Sequence, residues 1–150
     1  MTETLDDLRE LYQAVILDHS RHPRHFGKLA GANAQARGYN PLCGDQLTVY
    51  LRLDDGRIAE ANFEGKGCAL CLASASLMTD AVRDRDKAGA ERLAGEVQKL
   101  CMTEGYETDE LEALQPLSGV SRFPVRVKCA TLPWHTLKAA LAGDKEATTE

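Results

Sequence analysis

The sequence predicts an α+β domain: a small antiparallel sheet with helices packed on one face. Three observations lead there. The patterns run helix, then strands, then helices, with no strand–helix alternation of the kind that builds a parallel sheet. The clearest alternating segments are joined by Asp54-Asp55-Gly56-Arg57, a hairpin signal that makes their pairing antiparallel. The 150 residues are 43% hydrophobic and 27% charged, as in one ordinary globular unit. With aromatics at 5%, the core must rest on Leu, Val, Ile and Ala. We read a single domain over 1–150, with its core at about 5–142 and a polar, frayed tail at 143–150.

The first helix is expected over residues 5–19. Leu5, Leu8, Leu11, Tyr12, Val15 and Ile16 fall on one stripe at helical spacing. Pro23, Gly27, Gly31, Gly38 and Pro41 then break the pattern into a loop, with a short strand near 33–38. From Gln46 to Leu53 apolar and polar residues alternate, with Leu47, Val49, Leu51 and Leu53 on one face. The returning strand, 58–64, should turn Ala59, Ala61 and Phe63 inward. A tight Gly65-Lys66-Gly67-Cys68 loop leads into a helix over 69–84, whose small residues permit close packing. A charged turn at 84–87 precedes a helix over 90–102. The Glu-rich stretch 103–118 is less regular, with one helical turn near 109–114. Pro124 opens a last helix to Ala142, with Val127, Ala130, Trp134, Leu137 and Leu141 inward. Pro133 should give a kink or an irregular turn, because proline cannot bond to the carbonyl of Cys129.

Composition also excludes functions. No apolar run approaches the ~20 residues of a membrane helix. The opening MTETLDDLRE is acidic where a targeting peptide would be basic, which points to the cytoplasm. A net charge of -5 argues against a nucleic-acid partner.

The five cysteines carry the functional question. An odd number without an export signal does not describe a disulfide framework, so buried packing, metal ligation and nucleophilic chemistry remain. Cys43, Cys68 and Cys129 stand at element boundaries, where loop and helix ends can converge on one sheet edge. Asp45 follows Cys43 by two residues, and positions i and i+2 of an extended segment share a side. Three thiolates and a carboxylate suit a tetrahedral ion, zinc or iron in a sulfur cluster rather than calcium or magnesium. Cys71 forms C-x-x-C with Cys68, but an inward helix-face position accounts for it better. Cys101 reads as core. Arg126 and Lys128 flank Cys129, where cations favour thiolate. His19, His22 and His25 have metal-like spacing, yet a docking loop or solvated turn suits their basic surroundings better.

NPLCGD, FEGKGCALCLASASLM and RFPVRVKCATLPWHTL together resemble the U-type iron–sulfur assembly proteins, and YQAVILDHSRHPRHFGKL is similar to that family's N-terminal helix and loop. The resemblance covers about residues 5–142 and implies a SufU/IscU-like fold. The scaffold (IscU-like) branch carries a His directly before its last cysteine, where this chain has Lys128, and a shorter stretch between its second and third ligand cysteines. Both features resemble the SufU-type branch. That likeness implies a zinc-dependent sulfurtransferase that accepts persulfide sulfur from a PLP-dependent cysteine desulfurase (SufS-type) and passes it to a downstream iron–sulfur assembly scaffold. It also implies Cys43, Asp45, Cys68 and Cys129 as zinc ligands, Cys43 as the sulfur-accepting thiol and Arg126 as an assisting or docking group. Cys71 departs from the family pattern and leaves room for an alternative ligand, a resolving thiol or cluster binding. Two alternatives stand beside this: a scaffold on which a [2Fe-2S] cluster is assembled by the same ligands, and a purely structural zinc domain.

Overall fold

The computed structural model describes residues 5–41, 44–103, 106 and 109–148, and side chains from residue 10 onward except at 109, 110 and 112. Cys43 therefore lies outside the described residues, as do the side chains of Leu5 and Leu8. The elements run α1 (Leu5–Arg21), β1 (Ala34–Asn40), β2 (Asp45–Asp54), β3 (Arg57–Lys66), α2 (Ala69–Val82), α3 (Lys87–Met102), a 3-10 helix (Asp109–Val120), α4 (Pro124–Ala142) and β4 (Glu146–Thr148).

The fold is α+β, as expected. The sheet has the order β3-β2-β1-β4, with β1–β2 and β2–β3 antiparallel. Ala36, Leu47, Val49, Leu51, Ala61 and Phe63 bury one face beneath α2 and α4, while Gln35, Arg37, Tyr39 and Gln46 keep the other exposed.

The expected all-antiparallel sheet and frayed tail need correction. β4 pairs parallel with β1, Arg37 opposite Glu146, making the sheet mixed. A parallel pairing needs a crossover connection, and the helices between β3 and β4, ending with α4 on the covered face, supply one. Gly143 caps α4 in the left-handed region (φ 83°), and Arg37 N–H then donates to the Lys145 carbonyl at 2.8 Å. Three small or polar residues at a sheet edge carry no alternation to read.

β3 departs from simple alternation. Its register shifts opposite Arg52/Leu53, so Ala59 is the extra residue of a bulge and Ile58, rather than Ala59, enters the core. The Glu-rich stretch is more regular than expected. Leu111, Leu114, Leu117 and Val120 are buried at a spacing of three, the period of a 3-10 helix and not of an α-helix.

α1 forms as expected, but Leu11 is 54% exposed. The helix packs on α2 and the 3-10 helix at the periphery; Val15 and Ile16 are half-buried against the core and His19 is buried. α4 is the opposite case. Ala130, Leu132, Trp134, Leu137 and Leu141 are all buried, and it runs on through Pro133 unbroken where an irregular turn was expected. Its neighbours are close: a Cβ on Gly38 of β1 would meet Thr136 Oγ1 at 1.9 Å, so only glycine admits the helix there. Ser74 Oγ of α2 donates to the Ala130 carbonyl at 2.6 Å and accepts from Trp134 Nε1 at 3.1 Å. Removing that hydroxyl would take from the buried Trp134 Nε1–H its partner across the two helices, a cost of ~1–3 kcal/mol.

Candidate metal centre

Three chain segments end at one edge of the sheet. The β1–β2 connection is closed by Gly44 N–H donating to the Asn40 carbonyl at 2.9 Å, with Gly44 at φ 74°. Asn40 pairs with Asp45, which opens β2 and is 1% exposed. β3 ends at Lys66, and two residues later Cys68 caps α2. Cys129 sits in the second turn of α4, 4% exposed, next to the residue whose carbonyl Ser74 holds. Thus the hairpin end, the α2 cap and the start of α4 meet.

Asp45 ties two of these segments together. Its Oδ1 accepts the Cys68 backbone N–H at 2.8 Å, one of the donors left unpaired at a helix start, and its Oδ2 lies 3.6 Å from Cys68 Sγ. Gly67 makes room, since a Cβ there would fall 2.8 Å from Asp45 Oδ1. One donor atom each from Asp45, Cys68 and Cys129 lie within 4.8 Å of one another. A tetrahedral ion with bonds of about 2.0–2.3 Å needs donors about 3.3–3.8 Å apart, so the Asp45–Cys68 pair already has the spacing. Two thiol sulfurs and a carboxylate fit zinc or an iron–sulfur cluster and not a hard cation. Cys68 is exposed, so the group opens to solvent on one side.

The structure thus brings together Asp45, Cys68 and Cys129 of the four expected ligands, while Cys43 lies outside the described residues. Cys71 is buried (1% exposed) and not part of this donor group; its N–H donates to Cys68 Sγ at 3.4 Å. Cys101 is core, with burial pushing its thiol up to about 12. Lys128 is half-buried beside Cys129, and exposed Arg126 stacks over the Phe123 ring at 4.6 Å. Gly67 was missed as a site residue; its signal is a glycine beside a ligand cysteine where the backbone turns into a helix.

The histidine segment is built otherwise. His19 is buried, with Nδ1 at 2.7 Å from Ser76 Oγ, which also accepts the Arg24 N–H at 2.8 Å. Burial, and then the Arg24 charge, lowers the His19 pKa. His25 accepts from Arg83 at Nδ1 (2.7 Å) and faces Asp80 with Nε2 (2.8 Å). Arginine only donates, so Nε2 carries the ring hydrogen. His22 lies 3.6 Å from Asp18 at the surface. Among the described residues these histidines belong to no metal-capable group, and the expected solvated turn is corrected at His19 by its burial against α2.

Among the described residues no helix is long and apolar enough to cross a membrane. A family model described as "NifU-like N terminal domain" matches residues 11–148. The chain is 41% identical over 140 residues to the "Iron-sulfur cluster assembly scaffold protein IscU" of Streptococcus pyogenes serotype M1, covering 91% of this chain and 86% of that protein. It is 36% identical over 140 residues to the "Zinc-dependent sulfurtransferase SufU" of Bacillus subtilis (strain 168), covering 93% and 95%. A solved structure described as an "iron-sulfur cluster assembly scaffold protein for SUF system (FiSufU)" from Fervidobacterium islandicum AW-1 superposes with a TM-score of 0.82 at 31% identity, covering 89% of this chain and 98% of that one. Both branches are matched at similar identity, so likeness alone does not divide them. The chain belongs to the family of the NifU-like N-terminal domain, the U-type family that its motifs resemble.

Proposed function

We propose that the chain acts in iron–sulfur cluster assembly as a zinc-dependent sulfurtransferase, taking persulfide sulfur from a PLP-dependent cysteine desulfurase of the SufS type. One observation carries the reading: Asp45, Cys68 and Cys129 converge, and the residue before Cys129 is Lys128 rather than a metal-binding histidine. Cys43, two residues before Asp45, is the proposed fourth ligand and the nucleophile. Zinc, when bound, holds its thiol ligands as thiolates at neutral pH.

The transfer is a thiol exchange. The Cys43 thiolate attacks the outer sulfur of the desulfurase persulfide. The bond between the persulfide sulfurs breaks as the new one forms, and the desulfurase cysteine leaves as thiolate. The proton stays on the transferred sulfur, and nothing is oxidised overall. Asp45 keeps the hairpin end against the α2 cap throughout, because its bond to the Cys68 N–H does not need the nucleophile. Arg126, exposed at the start of α4, belongs to the docking face, and the sulfur passes on to a downstream assembly scaffold.

The relatives named IscU support a second reading, in which a [2Fe-2S] cluster is assembled as cargo on the same residues. Purified protein distinguishes the two. Colourless protein with about one zinc per chain is expected; brown protein with iron and labile sulfide favours the scaffold. With a desulfurase and L-cysteine, the wild type should raise turnover and carry a persulfide on Cys43 by mass spectrometry, and Cys43→Ala should do neither. Sulfur transfer by Cys43→Ala at the wild-type rate refutes the nucleophile.

A further inference from the structure

The helix start that supplies Cys68 carries a second thiol that lies outside the donor group formed among the described residues. Cys68 caps α2 in extended backbone (φ −67°, ψ 162°) and is exposed. Cys71, three residues on, is shielded in the core, and its N–H holds Cys68 Sγ over the first turn at 3.4 Å. Side chains three apart on a helix have Cβ atoms about 5–6 Å apart, and a disulfide needs about 3.5–4.5 Å. The cap lies outside the helical backbone, so rotation at one extended residue can close the gap without unwinding a turn. One accessible and one shielded thiol in C-x-x-C at a helix N-terminus is the arrangement of a redox pair.

We infer that Cys68 and Cys71 form a reversible dithiol–disulfide pair, in which Cys68 meets a small disulfide oxidant and Cys71 resolves the adduct. The Cys68 thiolate attacks the oxidant RSSR, forming a mixed disulfide and releasing RS⁻. The Cys71 thiolate then attacks the Cys68 sulfur, the mixed bond breaks, and a second RS⁻ leaves. The pair has lost two electrons and two protons, and the oxidant has become two RSH. Burial keeps RSSR from Cys71 directly, so the order of attack is set by the fold. The consequence rests on the proposed metal reading: the disulfide withdraws Cys68 from the donor group, so oxidation releases the ion and reduction restores the site.

The full chain tests this. After incubation with a chelator it is treated with oxidised glutathione, alkylated and cut with trypsin. Cleavage after Lys66 and Arg83 yields one peptide holding both thiols. That peptide should be lighter by a pair of hydrogens and unalkylated, and Cys71→Ala should instead stop at a stable glutathione adduct on Cys68. The inference is overturned if the wild type stops at that adduct with Cys71 still alkylatable, or if Cys68 pairs with Cys43 or Cys129. Zinc content before treatment separates the two ideas. Disulfide formation in protein that never held zinc upholds the pair and sinks the metal reading; zinc-loaded protein whose Cys71 stays reduced after chelation and oxidation does the reverse.

Discussion

Two segments of this chain are rich in metal-capable residues, and they are built on opposite principles. The histidine segment packs His19, His22 and His25 into seven positions, yet each faces its own partner: Ser76, Asp18, and Asp80 with Arg83. Asp45, Cys68 and Cys129 are far apart in sequence, come from β2, the α2 cap and α4, and face one another. Density of ligand-type residues along a chain therefore says little; convergence from separate elements says much. His19 instead fastens the end of α1, and His25 the loop after it, to α2, the helix that Cys68 caps.

Breaking the donor side should have the largest effect. Cys68→Ala is expected to weaken zinc binding by more than the ~100-fold seen for outer partners of a ligand, measured by competition with a chromophoric chelator. A variant that keeps wild-type affinity would remove Cys68 from the centre. Gly67→Ala sharpens the comparison, since its Cβ would displace the Asp45 carboxylate without removing any donor group from the chain. We expect a ~10–100-fold loss of affinity with little change in unfolding midpoint.

On the histidine side, His19→Ala should cost ~1–3 kcal/mol of stability by stripping Ser76 of a buried partner, with zinc affinity unchanged. Acid should act through the same residue. His19 and His135 are both held below the ordinary histidine value of 6.5, first by burial and then by Arg24 and Lys138 respectively. The unfolded chain then binds more protons, so stability is full above that value and is lost as pH falls below it toward the folded pKa values. His19→Gln with His135→Gln should flatten that slope in denaturant titrations; an unaltered slope would assign it elsewhere. Smallest of all, His22→Ala at the surface should stay within ~0.5 kcal/mol of wild type and leave metal content alone.

Much of this was legible beforehand. The β2 alternation, the Asp54–Arg57 turn and the Pro124–Ala142 helix are local patterns, and their physics is local: side-chain period, a glycine at positive φ, a proline at N1. The period-three stripe Leu111, Leu114, Leu117, Val120 is equally present in the sequence but lies among glutamates and lacks the i, i+4 repeat of an α-helix. The bulge at Ala59 and the pairing of β4 were not legible, because each depends on a partner strand supplied by another part of the chain.

The amino-acid order alone determined which groups are capable of the chemistry, sulfur and carboxylate at element ends, and that the helices and hairpin would form, since these follow from neighbours within a few residues. Only the packed chain decided which of those groups share a centre. Asp45 meets Cys68 because Gly67 leaves room, and Cys129 joins them because Ser74 and Gly38 let α4 lie close to α2 and β1. Those are contacts between distant segments, and their existence depends on excluded volume and buried hydrogen bonds that no local pattern records.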